Sequence, residues 1–92
     1  MKFEWDASKA AANLRRHGVS FEESTTVFGD RFARTYEDPD HSDDELRELT
    51  FGFSAGGRPL VVSHCERGER TRIISARPMT RRERRQHEEG NR

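Results

Sequence analysis

The sequence predicts an α+β fold, in which two N-terminal helices pack on an antiparallel sheet of about four strands and a C-terminal helix closes the chain. Three observations lead there. Helical spacing and capping residues crowd the first 29 positions. Between residues 47 and 77 the apolar positions alternate with a period of two and are broken by glycines. After Pro78 a capping box opens a wholly polar helix. Helices and strands segregated in this way make one helical layer on one face of a sheet.

Each element has its own signal. Residues 2–5 alternate and predict a short first strand. Asp6 is a helix N-cap, with Trp5 placed to staple against Ala10. Ala7, Ala10, Ala11 and Leu14 fall on one face of the helix that follows, and Gly18 stops it. Ser20 and Glu23 form a second capping box. Phe21, Ser24, Val27 and Phe28 mark the inner face of its helix, which Gly29 ends. Residues 31–36 predict an edge strand, and the acidic stretch 37–45, with Pro39, a loop. Strands follow at 47–54, 59–65 and 71–77, joined by Ala55-Gly56-Gly57 and Arg67-Gly68-Glu69 as hairpin connections. Thr80 and Glu83 cap a last helix over 81–89. It has no apolar stripe, so it is exposed or covered by something else.

Composition narrows the class. The chain has 92 residues, enough for one domain, and its Leu, Ile, Val and Phe number 4, 2, 4 and 6. The core is therefore small, and a partner can supply part of the stability. The 17 basic and 17 acidic residues cancel, but not locally: residues 1–57 carry 7 Lys/Arg against 12 Asp/Glu, and residues 58–92 carry 10 Arg against 5 Glu. Neutrality argues against a protein that coats nucleic acid nonspecifically, while an all-arginine basic half suits bidentate phosphate recognition. One cysteine, Cys65, excludes an internal disulfide and fits a reducing cytosol. No apolar run reaches the length of a signal core or a membrane span. A cytoplasmic protein is expected.

The chemistry concentrates at Arg72-Ile73-Ile74-Ser75-Ala76-Arg77-Pro78-Met79-Thr80-Arg81-Arg82-Glu83-Arg84-Arg85. A strand stops at proline and opens onto an arginine-rich helix start, where guanidinium groups lie beside free backbone N–H donors. Strict alternation puts Arg72, Ile74 and Ala76 on one face and Ile73, Ser75 and Arg77 on the other. Leu60, Val62 and His64 share a face of the neighbouring strand. The residues Asp38, Asp40, His41, Asp43 and Asp44 match neither calcium-loop nor zinc spacing, so no metal and no cofactor is expected.

Phe3-Glu4-Trp5-Asp6, Lys9, Asn13, His17-Gly18-Val19-Ser20-Phe21-Glu22-Glu23 and Phe28-Gly29-Asp30 together resemble the opening of BrnT-type proteins. Gly52 to Ser54, Leu60-Val61-Val62, Glu66-Arg67-Gly68, Arg72 to Arg77 and Thr80 to Arg85 resemble the rest of that family's pattern. The resemblance covers residues 2 to about 88. It implies a bacterial type II toxin with a RelE-like fold that cleaves RNA and arrests growth. It also implies a cognate BrnA-like antitoxin, which forms a hetero-oligomer with the toxin and alone contacts the DNA operator. His87 stands where a tyrosine is common, and Met79 where a small residue is common.

Metal-independent RNA cleavage needs a base for the 2′-hydroxyl, cations for the phosphorane and an acid for the leaving oxygen. The catalytic candidates are Arg77 and Arg81 as a phosphate clamp, His64 as acid or base, and Glu66 as general base. Each has a plainer alternative: an ion pair for Arg77, a surface histidine for His64, and a pair with Arg67 or Arg70 for Glu66. Lys9, Arg67, Arg72 and Arg84 are the candidate RNA-binding residues. The alternative function is a noncatalytic or degenerate toxin that acts as corepressor with its antitoxin.

Overall fold

The computed structural model describes residues 1–40 and 46–90. The elements run β1 (Lys2–Glu4), α1 (Ala7–His17), α2 (Phe21–Thr25) with a 3₁₀ turn (Thr26–Gly29), β2 (Arg34–Glu37), β3 (Arg47–Phe53), β4 (Pro59–Arg67), β5 (Arg70–Pro78) and α3 (Arg81–Gly90). The five strands form one mixed sheet in the order β1-β5-β4-β3-β2. Among the described residues no helix is long and apolar enough to cross a membrane.

The predicted caps form. Asp6 accepts from the backbone N–H groups of Ser8 and Lys9, and Ser20 from that of Glu23. Gly18 ends α1 at φ 68°, in the left-handed region where a side chain is strained. The second helix is shorter than expected, with five α-helical residues that tighten into the 3₁₀ turn.

Two features of the sheet differ from the expectation. It has five strands and is mixed, because β1 pairs parallel to β5. This pairing joins chain segments about seventy positions apart, and local alternation carries no trace of it. The second difference is a break in the β4–β5 ladder. Val62 pairs with Ala76 and Ser63 with Ser75, but His64 pairs with Ile73, so Ile74 is an extra residue in β5. Strict alternation fails at that point. Ile73 and Ala76 both enter the core, whereas the sequence puts them on opposite faces.

The core lies between α1, α2 and the 3₁₀ turn on one side and β3–β5 on the other. Val19, Phe21, Val27, Leu60, Val62, Ile73 and Ala76 are buried there, with Phe3, Trp5, Ala10 and Phe28 packed against them. Gly52 of β3 faces this layer, where a Cβ would meet Val27 Cγ1 at 2.9 Å and Ala33 Cβ at 3.1 Å. The helices are not confined to one layer, as the sequence implied. The C-terminal helix α3 covers the other face, with His87 against Phe53 and Glu83 on Arg77.

Beyond Arg72, β5 has no strand on its outer side, and buried Asn13 of α1 takes that place. Its amide donates to Ala76 O (2.8 Å) and Val19 O (3.0 Å), while its Oδ1 accepts from Ala76 N (3.1 Å). One side chain thus does for Ala76 what a neighbouring strand would do. Asn13→Ala leaves three buried backbone groups without partners. Each unmet group costs roughly 1–3 kcal/mol, so a loss of about 3 kcal/mol is expected in urea unfolding. The exposed control Arg15→Gln should change stability by less than about 0.5 kcal/mol. Equal effects of the two substitutions would show that the edge is held by other contacts.

Candidate functional site

The pleat sorts the sequence-derived candidates onto two faces. Thr50, Val62, His64, Glu66, Thr71, Ile73 and Ala76 face α1 and α2. Phe51, Phe53, Val61, Arg67, Arg72 and Arg77 face α3 or the open part of the sheet beyond it. His64 and Arg77, paired as catalytic candidates, therefore lie on opposite sides and cannot meet one phosphate.

His64 is not a surface histidine. It is 3% exposed, packs edge-on to Phe28 at 4.9 Å, and its Nε2 bonds Thr50 Oγ1 at 2.7 Å. Thr50 in turn bonds Thr35 at 2.7 Å. Burial pushes the imidazole pKa below its ordinary value of 6.5, and the Glu66 carboxylate pulls it partly back. Glu66 pairs with neither Arg67 nor Arg70; it accepts from the Thr71 hydroxyl at 2.9 Å.

Arg77 is ion-paired. Its Nη1 and Nη2 donate to the two oxygens of Glu83 at 2.7 and 2.9 Å, and Nη1 also reaches Pro78 O at 3.2 Å. The fork expected to hold phosphate is thus occupied by a carboxylate, the ion pair that the sequence left as the plainer alternative. Arg72 is likewise paired, to Glu4 at 2.7 Å. Arg84 bonds Glu88 at 2.9 Å and lies over the Phe53 ring at 5.6 Å. Arg81, Arg82 and Arg85 have no carboxylate partner among the described residues and project from the exposed side of α3. Arg67 is exposed at the end of β4.

Two cavities flank α3 and meet at His87. One, of about 330 Å³, is lined by Tyr36, Glu37, Pro39, Leu49, Phe51, Glu83, Gln86 and His87. The other, of about 220 Å³, is lined by Asp30, Phe32, Phe53, His87 and Glu88. The larger is in the size range of ligand sites and joins aromatic walls to titratable groups. Tyr36 stands edge-on to Phe51 at 5.7 Å and is half exposed. Lys9 lies elsewhere, in a cleft of about 410 Å³ with Asn13, Arg16, His17, Ile74 and Ser75 along the outer side of β5.

Sequence reasoning missed Glu83, His87 and Tyr36 as members of one site. Glu83 was legible only as a capping residue, which it also is: it accepts from Thr80 N at 2.8 Å while its own N–H meets Thr80 Oγ1 at 3.1 Å. The spacing of Glu83 and His87, one helical turn apart, was the available signal. Of the acidic stretch considered for a metal, His41, Asp43 and Asp44 lie outside the described residues. Asp38 is buried, and its Oδ1 accepts from Asp40 N.

The two Arg77 bonds and the Thr80 cap hold the Glu83 carboxyl down at about 2, against an ordinary 4.5. Its ionised form therefore stabilises the fold fully above pH 4.5, and this contribution is lost as pH falls toward 2. Glu83→Gln should be less stable than wild type at neutral pH, and the gap should close across that window. A gap independent of pH would show that packing, rather than the ion pair, makes the difference.

The sequence model of a family described as "Ribonuclease toxin, BrnT, of type II toxin-antitoxin system" matches residues 5–83. The fold is similar to the 1.1 Å crystal structure of the Brucella abortus ribonuclease toxin BrnT. The TM-score is 0.68 at 23% identity, covering 88% of this chain and 99% of that one. No curated protein matches the sequence.

Proposed function

This chain belongs to the BrnT family of ribonuclease toxins of type II toxin–antitoxin systems, and on that premise we propose that it binds and cuts RNA on the α3 side of the sheet. The observation that carries this reading is the convergence of Glu83, His87 and the aromatic wall of Tyr36 and Phe51 on one cavity, on a helix whose Arg81 and Arg82 have no carboxylate partner among the described residues. A base stacks against Tyr36 and Phe51, and Arg82, one turn before Gln86 on the flank of that cavity, takes the phosphate with Arg81. Guanidinium groups there stabilise the charge that develops on phosphorus.

His87 is the proton-transfer group in this reading, replacing His64, which is buried on the opposite face. The resemblance noted in the sequence puts His87 where a tyrosine is common, another side chain able to donate and accept a proton. Arg77 acts through Glu83, holding the start of α3 against β5. Arg67 and Arg72 extend the basic surface, and Arg84 braces Phe53. The remaining expectations complete the proposal: a RelE-type, metal-independent cleavage in the cytoplasm, and neutralisation by a BrnA-like antitoxin that links the pair to its DNA operator.

Bacteria induced to make the chain alone should stop growing, and Arg81→Ala combined with Arg82→Ala should restore growth at matched protein levels. Pure protein should cut RNA in chelator. His87→Ala should slow that cutting by about 10²–10⁴-fold, the usual contribution of a proton-transfer group, and His87→Tyr should retain more of it. Soluble, folded wild type that neither arrests growth nor cuts RNA would favour the corepressor reading. Full activity in His87→Ala would remove that residue from the chemistry.

A further inference from the structure

The opposite face holds a group of side chains that the ribonuclease reading does not use. Glu48 of β3 stands directly across from His64 of β4, and Glu66 lies two residues further along β4, so all three project to the same side. One potential ligand atom from each lies within 4.8 Å of the others. Neither carboxylate is in an ion pair among the described residues. Two acidic groups thus sit against an imidazole with no Lys or Arg side chain paired to either among the described residues.

The state of His64 adds an independent observation. Its Nδ1 is fully buried and has no hydrogen-bond partner, although a buried polar atom normally has one. Its Nε2 is held by Thr50 Oγ1, itself fixed by Thr35. With the ring proton donated from Nε2 to Thr50, Nδ1 carries a bare lone pair. Metal-ligating histidines are commonly fixed in this way, one nitrogen on a hydroxyl or carboxylate and the other on the ion. Glu66 is similarly oriented through the Thr71 hydroxyl.

We propose that Glu48, His64 and Glu66 form a binding site for a divalent transition-metal ion of the zinc type, with water as the fourth ligand. One imidazole and two carboxylates suit such an ion, and no thiolate is required. Bonds of roughly 2.0–2.2 Å place tetrahedral ligands about 3.4 Å apart, so atoms now within 4.8 Å of one another must close by up to about 1.4 Å. Glu66 is exposed at the sheet surface and would make that move by turning about its bond from the Thr71 hydroxyl. The ion would clamp β3 to β4 beneath Phe28, across the sheet from α3, so the site stands whether or not the RNA-binding reading holds.

The test uses the full chain with any polyhistidine tag removed, and Zn²⁺ and Co²⁺ as probes. Titration calorimetry and thermal unfolding should show one Zn²⁺ bound per chain and a higher melting temperature. Affinity should fall by at least about tenfold in Glu48→Gln and in His64→Gln, since even second-layer partners of a metal are worth about 10–100-fold. If His64→Gln fails to fold, Glu48→Gln and the Co²⁺ spectrum decide. Bound Co²⁺ should show d–d bands with no thiolate charge transfer. A thiolate band would assign the ion to Cys65 and overturn the proposal, as would Zn²⁺ affinity unchanged in Glu48→Gln, or no binding by folded wild type.

Discussion

One unpaired residue in β5 decides which side chains this protein shows to solvent. Were the β4–β5 ladder continuous, Ile73 would stand on the α3 side with Arg77, and the core would lose one of its few large aliphatic side chains. The extra residue at Ile74 resets the pleat, so that Thr71 and Ile73 join Ala76 beneath the helices while Arg70 and Arg72 turn to the other face. With only sixteen Leu, Ile, Val and Phe residues in the chain, and Leu14, Phe32 and Leu46 of these exposed, the core has few large apolar side chains to lose. The same reset gathers the arginines of β5 on one surface with Arg77. Core and basic face are thus two results of one irregularity.

Much of the architecture was legible because it is written locally. Asp6, Gly18, Ser20 and Thr80 cap or stop helices through contacts within a few residues, and these contacts form. The turn at Gly68, with φ at 64°, is equally local. What escaped notice depends on distant partners. The parallel pairing of β1 with β5 has no sequence period of its own. Asn13 stands out in the sequence only as part of the family resemblance, and nothing local shows that its amide is spent on a strand more than sixty positions away. The α3 helix lacked an apolar stripe, and its attachment to the sheet runs instead through the Arg77–Glu83 ion pair, the His87 imidazole, Arg84 over Phe53 and a bond from Arg34 to Gly90 O.

The candidate site was half legible for the same reason. An arginine-rich strand-to-helix junction was visible, and it lies on the face of the sheet that α3 covers. Which of its arginines is free was not, because that depends on Glu83, whose capping role disguised its pairing with Arg77. Alternation along β4 correctly put His64 with Leu60 and Val62. The error lay in β5, where the break in register was invisible and Arg77 had no fixed side relative to His64. A side chain's chemistry can be read from its letter, but its company depends on the pleat.

The amide of Asn13 has a further consequence, for the behaviour of many copies together. A strand with free N–H and C=O groups along its side is a template on which another chain can grow. In β5 that side is closed twice, by three residues of β1 at one end and by Asn13 opposite Ala76 at the other. The stopper is a side chain and has no outer edge of its own, so a foreign strand that displaces it finds no further ladder to extend. The side of β5 away from β4 therefore offers another copy of the chain only a short, interrupted ladder.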